Sequence, residues 1–189
     1  MAVAEQSRID RTIEVKAPPD RVWRALTNAD ELSAWFQVKI EGAIAPDTDV
    51  WMTSLHPSHA GQRFRVRFRE MTAPRRFVWE WHPGAVDPNV DYSREPRTTV
   101  TFTLEPSEGG TRLSVSETGF DAIGLERRAR VYAVACSKPQ DAGQTLALHL
   151  AGIQSSLDVN FYVGGMRRAG SVEVPVMTLD QVLEDAGAP

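Results

Sequence analysis

Hydrophobic and polar residues alternate over most of the first two-thirds of the chain. Residues 8–16 place Ile9, Arg11, Ile13 and Val15 on one face, and Asp10, Thr12, Glu14 and Lys16 on the other. That period of two predicts a half-buried strand. Ala17-Pro18-Pro19 ends it, and proline suits the first turn of a helix, where its missing N–H has no partner. Residues 20–26 then predict a short helix with Val22, Trp23 and Leu26 inward. Thr27 is read as the cap of a second short helix that carries Leu32, Trp35 and Phe36. Strands are predicted at 38–44 and 49–55, around the turn-like 45–47. The cleanest alternation lies at 62–71, with Phe64, Val66 and Phe68 opposite Arg63, Arg65, Arg67 and Arg69. Phe77, Trp79 and Trp81 repeat it at 76–82. A polar loop at 83–96 holds three prolines, and such length marks a functional or mobile loop. Two more strands follow, at 98–104 and 112–118, joined by the hairpin turn Glu108-Gly109-Gly110.

Helical spacing then takes over. Residues 125–136 predict one helix, Lys138-Pro139 interrupts it, and 140–161 predict a longer one. Leu146, His149, Leu150, Ile153, Leu157 and Phe161 form a single stripe on that helix. Gly164-Gly165 suits its end. A meander with one apolar face must cover that face, and the last helix has the length and stripe to do so. The expected fold is α+β: a curved antiparallel sheet packed on a long C-terminal helix, with two short helices after the first strand. Residues 1–163 form the expected domain and 164–189 a tail.

Composition removes several classes of function. The chain has 189 residues, a net charge of -4 and no long Lys/Arg run, so no nucleic-acid partner is expected. One cysteine, Cys136, excludes an internal disulfide framework. No uncharged stretch is long enough for a membrane span, and residues 1–8 lack the apolar core of a signal peptide. A cytoplasmic location is the expectation.

No catalytic constellation stands out. P-loop, nucleophile-elbow and H-E-x-x-H patterns are absent from the sequence. His56 and His59 have no third ligand in view, so neither metal nor cofactor is expected. The inward aromatics Phe64, Phe68, Phe77, Trp79, Trp81 and Phe102, with Trp51 of undecided parity, read as core one by one. Together with Leu146, His149, Leu150 and Ile153 they could instead line a ligand pocket between sheet and helix. An empty apolar void of ~300 Å³ would cost ~7 kcal/mol at the rate found for core truncations. Such a pocket must therefore be small, hydrated or filled. Charged residues on the inward parity say more: Arg11, Glu70 and Glu117. If Ile13 opposes Val115 across the first and last strands, Arg11 opposes Glu117. A cross-strand ion pair and two separate strand-end charges are both open there. Glu70 reads first as a strand-end residue reaching water. His149 reads first as a satisfied core histidine, and otherwise as a group that binds or protonates a polar atom of a ligand.

Several segments carry a family resemblance. They are Ile13-Glu14-Val15-Lys16-Ala17-Pro18-Pro19, Val22-Trp23-Arg24-Ala25-Leu26-Thr27, Leu32-Ser33-Ala34-Trp35-Phe36, Phe77-Val78-Trp79-Glu80-Trp81 and Gly109-Gly110-Thr111-Arg112-Leu113. The sequence resembles the START-like (SRPBCC) superfamily, in the branch named after the activator of the heat-shock-protein-90 ATPase. Gln144 departs from it, standing where the family commonly has a tryptophan. The resemblance implies a helix-grip fold and a binding protein for a small hydrophobic molecule. Two alternatives stay open: a co-chaperone-type interaction module, and a cyclase- or hydratase-like enzyme using His149, Glu70 or Glu117. A homodimer and a chaperone contact also remain open.

Overall fold

The structure is a computed structural model that describes residues 8–55, 60–85, 87, 89–129, 131, 146 and 150. The alternating segments become strands β1 (Arg8–Val15), β2 (Val38–Glu41), β3 (Thr48–Ser54), β4 (Arg63–Thr72), β5 (Arg76–Trp81), β6 (Thr98–Ser107) and β7 (Gly110–Thr118). Helices α1 (Pro19–Thr27) and α2 (Ala29–Phe36) lie between β1 and β2. The strands form one antiparallel sheet in the order β1-β7-β6-β5-β4-β3-β2. The first strand thus pairs with the last, as the sequence predicts, but in a different register. Ile13 faces Leu113 and Arg11 faces Val115, so Ile9 is the residue opposite Glu117. Arg11 and Glu117 are diagonal neighbours on one face, not a directly opposed pair.

The two short helices follow from local chemistry. Pro19 opens α1, and Val22, Ala25 and Leu26 are buried. The cap of α2 is Asn28, one residue beyond the predicted Thr27: its Oδ1 accepts the Glu31 N–H at 3.0 Å. Thr27 instead donates its hydroxyl back to the Trp23 carbonyl at 2.8 Å. The Trp35 indole donates to the Ala25 carbonyl at 2.9 Å and ties the helices together. Strand β2 stops at Glu41, short of the predicted 44, because Gly42 turns to φ 131°. At Gly110 any Cβ would lie 2.0 Å from the Val15 carbonyl oxygen, so glycine alone lets β7 approach the end of β1.

The inner face of the sheet packs against α1 and α2. One buried cluster joins Ile13, Val22, Leu26, Phe36, Trp79 and Phe102, and Leu146 belongs to it with no exposure. Leu150 packs on its border. Of the predicted C-terminal stripe only these two are described; His149, Ile153, Leu157, Phe161, Cys136 and the 164–189 tail lie outside the described residues. Residues 125–129 are helical, as expected.

The outer face carries a measurable link between β1 and the β6–β7 hairpin. Glu14 accepts from the Ser107 hydroxyl at 2.6 Å and from Arg112 Nε at 2.8 Å. The Ser107 bond, against partial desolvation and with help from Arg112, holds this carboxyl below the usual range. Since the folded chain binds that proton more weakly, the contribution is complete above the ordinary pKa of about 4.3. It is lost as pH falls through the depressed folded value. The melting temperature of Glu14→Gln should therefore lie below the parent's at neutral pH, and the gap should close in acid. A gap of equal size at both ends of the titration would show that the charge of Glu14 contributes nothing.

Candidate functional site

The inner face divides into two regions. Under α1 and α2 the aromatics pack on one another. The Trp79 ring lies 4.9 Å from Phe102, 5.5 Å from Phe36 and 5.7 Å from Phe77, centroid to centroid. Phe68 stacks on Phe77 at 5.4 Å. Phe68, Phe77, Trp79 and Phe102 are at most 2% exposed. These four are densely packed core, so of the predicted lining Phe68, Trp79 and Phe102 form a closed wall.

Toward the other end of the strands the face becomes polar. Glu117 is buried to 9% exposure on β7. Its Oε1 accepts the Trp81 indole N–H at 2.8 Å and the Thr98 hydroxyl at 2.5 Å. The registers bring these residues together: Trp81 pairs with Thr98 across β5 and β6, and Val100 pairs with Glu117 across β6 and β7. Phe64 of β4 meets the Trp81 ring at 6.1 Å, nearly edge-on. A carboxylate in an apolar wall costs free energy unless it is hydrogen-bonded. Two neutral donors on one oxygen offset part of that cost.

Two predicted members lie elsewhere. Between Phe68 and Glu70 the β4–β5 register shifts, so Phe68 faces Trp79 while Glu70 faces Val78. The extra residue turns Glu70 to the outer face, where it accepts from Arg76 at 3.0 Å and Thr72 at 2.9 Å. Trp51 pairs with Arg65, also on the outer face, and is 41% exposed. Arg128 escaped the sequence reading. It is 8% exposed, its Nε has no partner among the described residues, and one terminal nitrogen donates to the Asp121 carbonyl at 3.3 Å. Its spacing three residues before buried Val131 was the available signal, masked by the surrounding charges.

The arginine stripe on the outer face is a balanced ladder. Arg63 meets Glu41 at 2.5 Å, Arg67 meets Asp49 at 3.6 Å, and Arg69 meets Asp47 at 3.0 Å and Glu80 at 3.3 Å. The loop after β5 is fastened across this side. Arg127 reaches Glu95 at 2.6 Å and the Pro83 carbonyl at 2.7 Å, and stacks 4.7 Å from the Tyr92 ring. His82 shares a hydrogen bond with the Glu95 carbonyl at 3.0 Å. Burial pushes its pKa down, the Glu95 carbonyl opposes that, and the Arg97 and Arg127 charges add to it. No group of three or more metal-ligating side chains occurs among the described residues. No described helix is long and apolar enough to cross a membrane.

Comparison with known proteins fits this geometry. A family model described as activator of Hsp90 ATPase homolog 1-like protein matches residues 16–135. No curated protein matches the sequence. The structure is similar to that of protein MLL2253 from Mesorhizobium loti, with 21% identity, coverage of 79% of this chain and 99% of that one, and a TM-score of 0.58. It is also similar to protein NE0264 from Nitrosomonas europaea, with 19% identity, coverage of 78% and 96%, and a TM-score of 0.58. Protein Ms6760 from Mycobacterium smegmatis matches at 16% identity, with coverage of 82% and 94% and the same score, 0.58. At such identities the likeness establishes the fold, which is the helix-grip fold.

Proposed function

The chain belongs to the activator of Hsp90 ATPase homolog 1-like family, and from that premise we propose that it binds a small, mainly apolar molecule on the inner face of its sheet. Glu117 holds the polar end of that molecule. The observation that carries this reading is a buried carboxylate set among Trp81, Thr98 and Phe64. A threonine or glutamine there could accept the Trp81 N–H without burying a charge. In this reading the carboxylate also takes a donor or a cation of the ligand. Phe64 and Trp81 are the aromatic lining, joined in this reading by Leu146 of the same buried cluster and Leu150 at its border. His149 and Ile153 join that lining if the predicted helical stripe continues. Trp51 and Glu70 take no part.

A docking role toward a chaperone draws no support from the outer face, where arginines and carboxylates largely neutralise one another. An enzyme of this fold would use Glu117 as its base, and the same experiment addresses it. Native mass spectrometry of freshly purified protein should show a non-covalent adduct that is absent from the denatured spectrum. Glu117→Gln should lose it. An adduct retained in full by Glu117→Gln would remove Glu117 from the site, and a bare apo mass after incubation with a cell lipid extract would count against ligand binding. The native spectrum also reports whether the chain is a dimer.

A further inference from the structure

A second site lies on the opposite side of the sheet. A groove of about 830 Å³ opens between β3–β4 and the loop after β5, with Trp51, Arg65 and Arg97 on its floor and Asp87, Asp91 and Tyr92 on its wall. Its size falls within the roughly 300–1,000 Å³ of small-molecule sites. At one point on the floor the guanidinium groups outnumber the carboxylate they share. Asp49 is shared by three guanidinium groups: Arg97 at 3.2 Å, Arg67 at 3.6 Å and Arg65 at 4.0 Å. Arg63, also in the lining, is paired with Glu41, and its guanidinium carbon lies 4.8 Å from the Trp51 ring centre. The Arg65 side chain makes no hydrogen bond within 3.5 Å among the described residues, and its guanidinium carbon lies 5.5 Å from the Trp51 ring centre. Arg65 therefore offers planar, bidentate donors beside a large, accessible aromatic surface.

We propose that this groove binds a flat organic anion of the aromatic carboxylate class, with its ring against Trp51 and its charge on Arg65. The wall fixes the direction of binding. Asp87 and Asp91 cap turns of their own loop, accepting from Asn89 N–H at 2.9 Å and Ser93 N–H at 2.9 Å. They repel an anion from the loop side and leave the arginine floor as its place. The tyrosine of the wall, Tyr92, is held by Arg127 and gives the ring a second aromatic neighbour. The sheet separates Trp51 and Arg65 from Glu117, and Phe64, which also borders the groove, is the residue common to the two sites.

The test is titration with 2-naphthoate, followed by the indole N–H signal of Trp51 in the nitrogen–proton correlation spectrum. The uncharged 2-naphthamide serves as control. The Trp51 signal should shift saturably with naphthoate and much less with the amide, and added salt should weaken the shift. Arg65→Gln, a surface change that leaves the core untouched, should weaken binding about tenfold, as expected for a lost charge-assisted hydrogen bond. Glu117→Gln should leave it unchanged, which separates this site from the inner one. Equal binding of amide and carboxylate, an unaltered affinity in Arg65→Gln, or no saturable shift at Trp51 would each overturn the proposal.

Discussion

Truncating Trp79 to alanine is expected to cost about 3–5 kcal/mol of stability, in line with large aromatic-to-alanine changes in cores. For a chain of this length that corresponds to a fall of roughly 6–20 °C in melting temperature. The reason is the position of the ring. It is 2% exposed and touches Phe36, Phe77 and Phe102, three aromatic rings from α2, β5 and β6. Removing it opens a void where the sheet meets the helices. Trp79→Phe should behave differently. The indole Nε1 is buried without a hydrogen-bond partner among the described residues, and an orphaned buried donor costs about 1–3 kcal/mol. Phenylalanine removes that donor while keeping most of the ring volume, so the two effects oppose each other. Thermal unfolding of both variants checks the account: phenylalanine should lose less than half of what alanine loses. Equal losses would mean that the indole N–H carries no penalty, and a negligible loss in the alanine variant would mean that the cluster is not the core.

The strand pattern was legible because one face of the sheet is packed and the other wet. Alternation marked β1, β4, β5, β6 and β7 and chose the inner face of β5, β6 and β7 without error, so Glu117 could be singled out from Leu113 and Val115 alone. It failed where the geometry departs from a period of two. The extra residue in β4 reverses the parity after Phe68, and nothing in Arg69-Glu70-Met71 announces it. In β3 the run Val50-Trp51-Met52 is apolar at three successive positions, so alternation has no preference. The β1–β7 register was misread by two residues for a related reason. A slip of one residue would expose the buried face, but a slip of two keeps every inward residue inward and changes only its neighbours. Partners of a site residue therefore escape a sequence reading even when the residue itself does not. The link of Trp81 and Thr98 to Glu117 spans three strands and rests on two registers.

That same link makes Glu117 the most informative position to alter. Glu117→Leu should leave the Trp81 indole and the Thr98 hydroxyl without their acceptor, at about 1–3 kcal/mol for each donor that finds no other. Relief from burying a carboxylate offsets part of this, and the threonine hydroxyl can rotate to a backbone carbonyl. The persistent loss should therefore sit on the indole. A double-mutant cycle isolates it: Trp81→Phe removes the donor, so the cost of Glu117→Leu should shrink in that background by about 1 kcal/mol or more. Additive losses would mean that the 2.8 Å bond contributes nothing net. Glu117→Gln completes the argument. It keeps an acceptor oxygen for Trp81, so its melting temperature should stay near the parent's, while it lacks the negative charge. A glutamine variant that unfolds like the parent yet loses the bound molecule would assign the carboxylate to recognition. One that keeps the molecule would reduce Glu117 to a structural acceptor for Trp81 and Thr98.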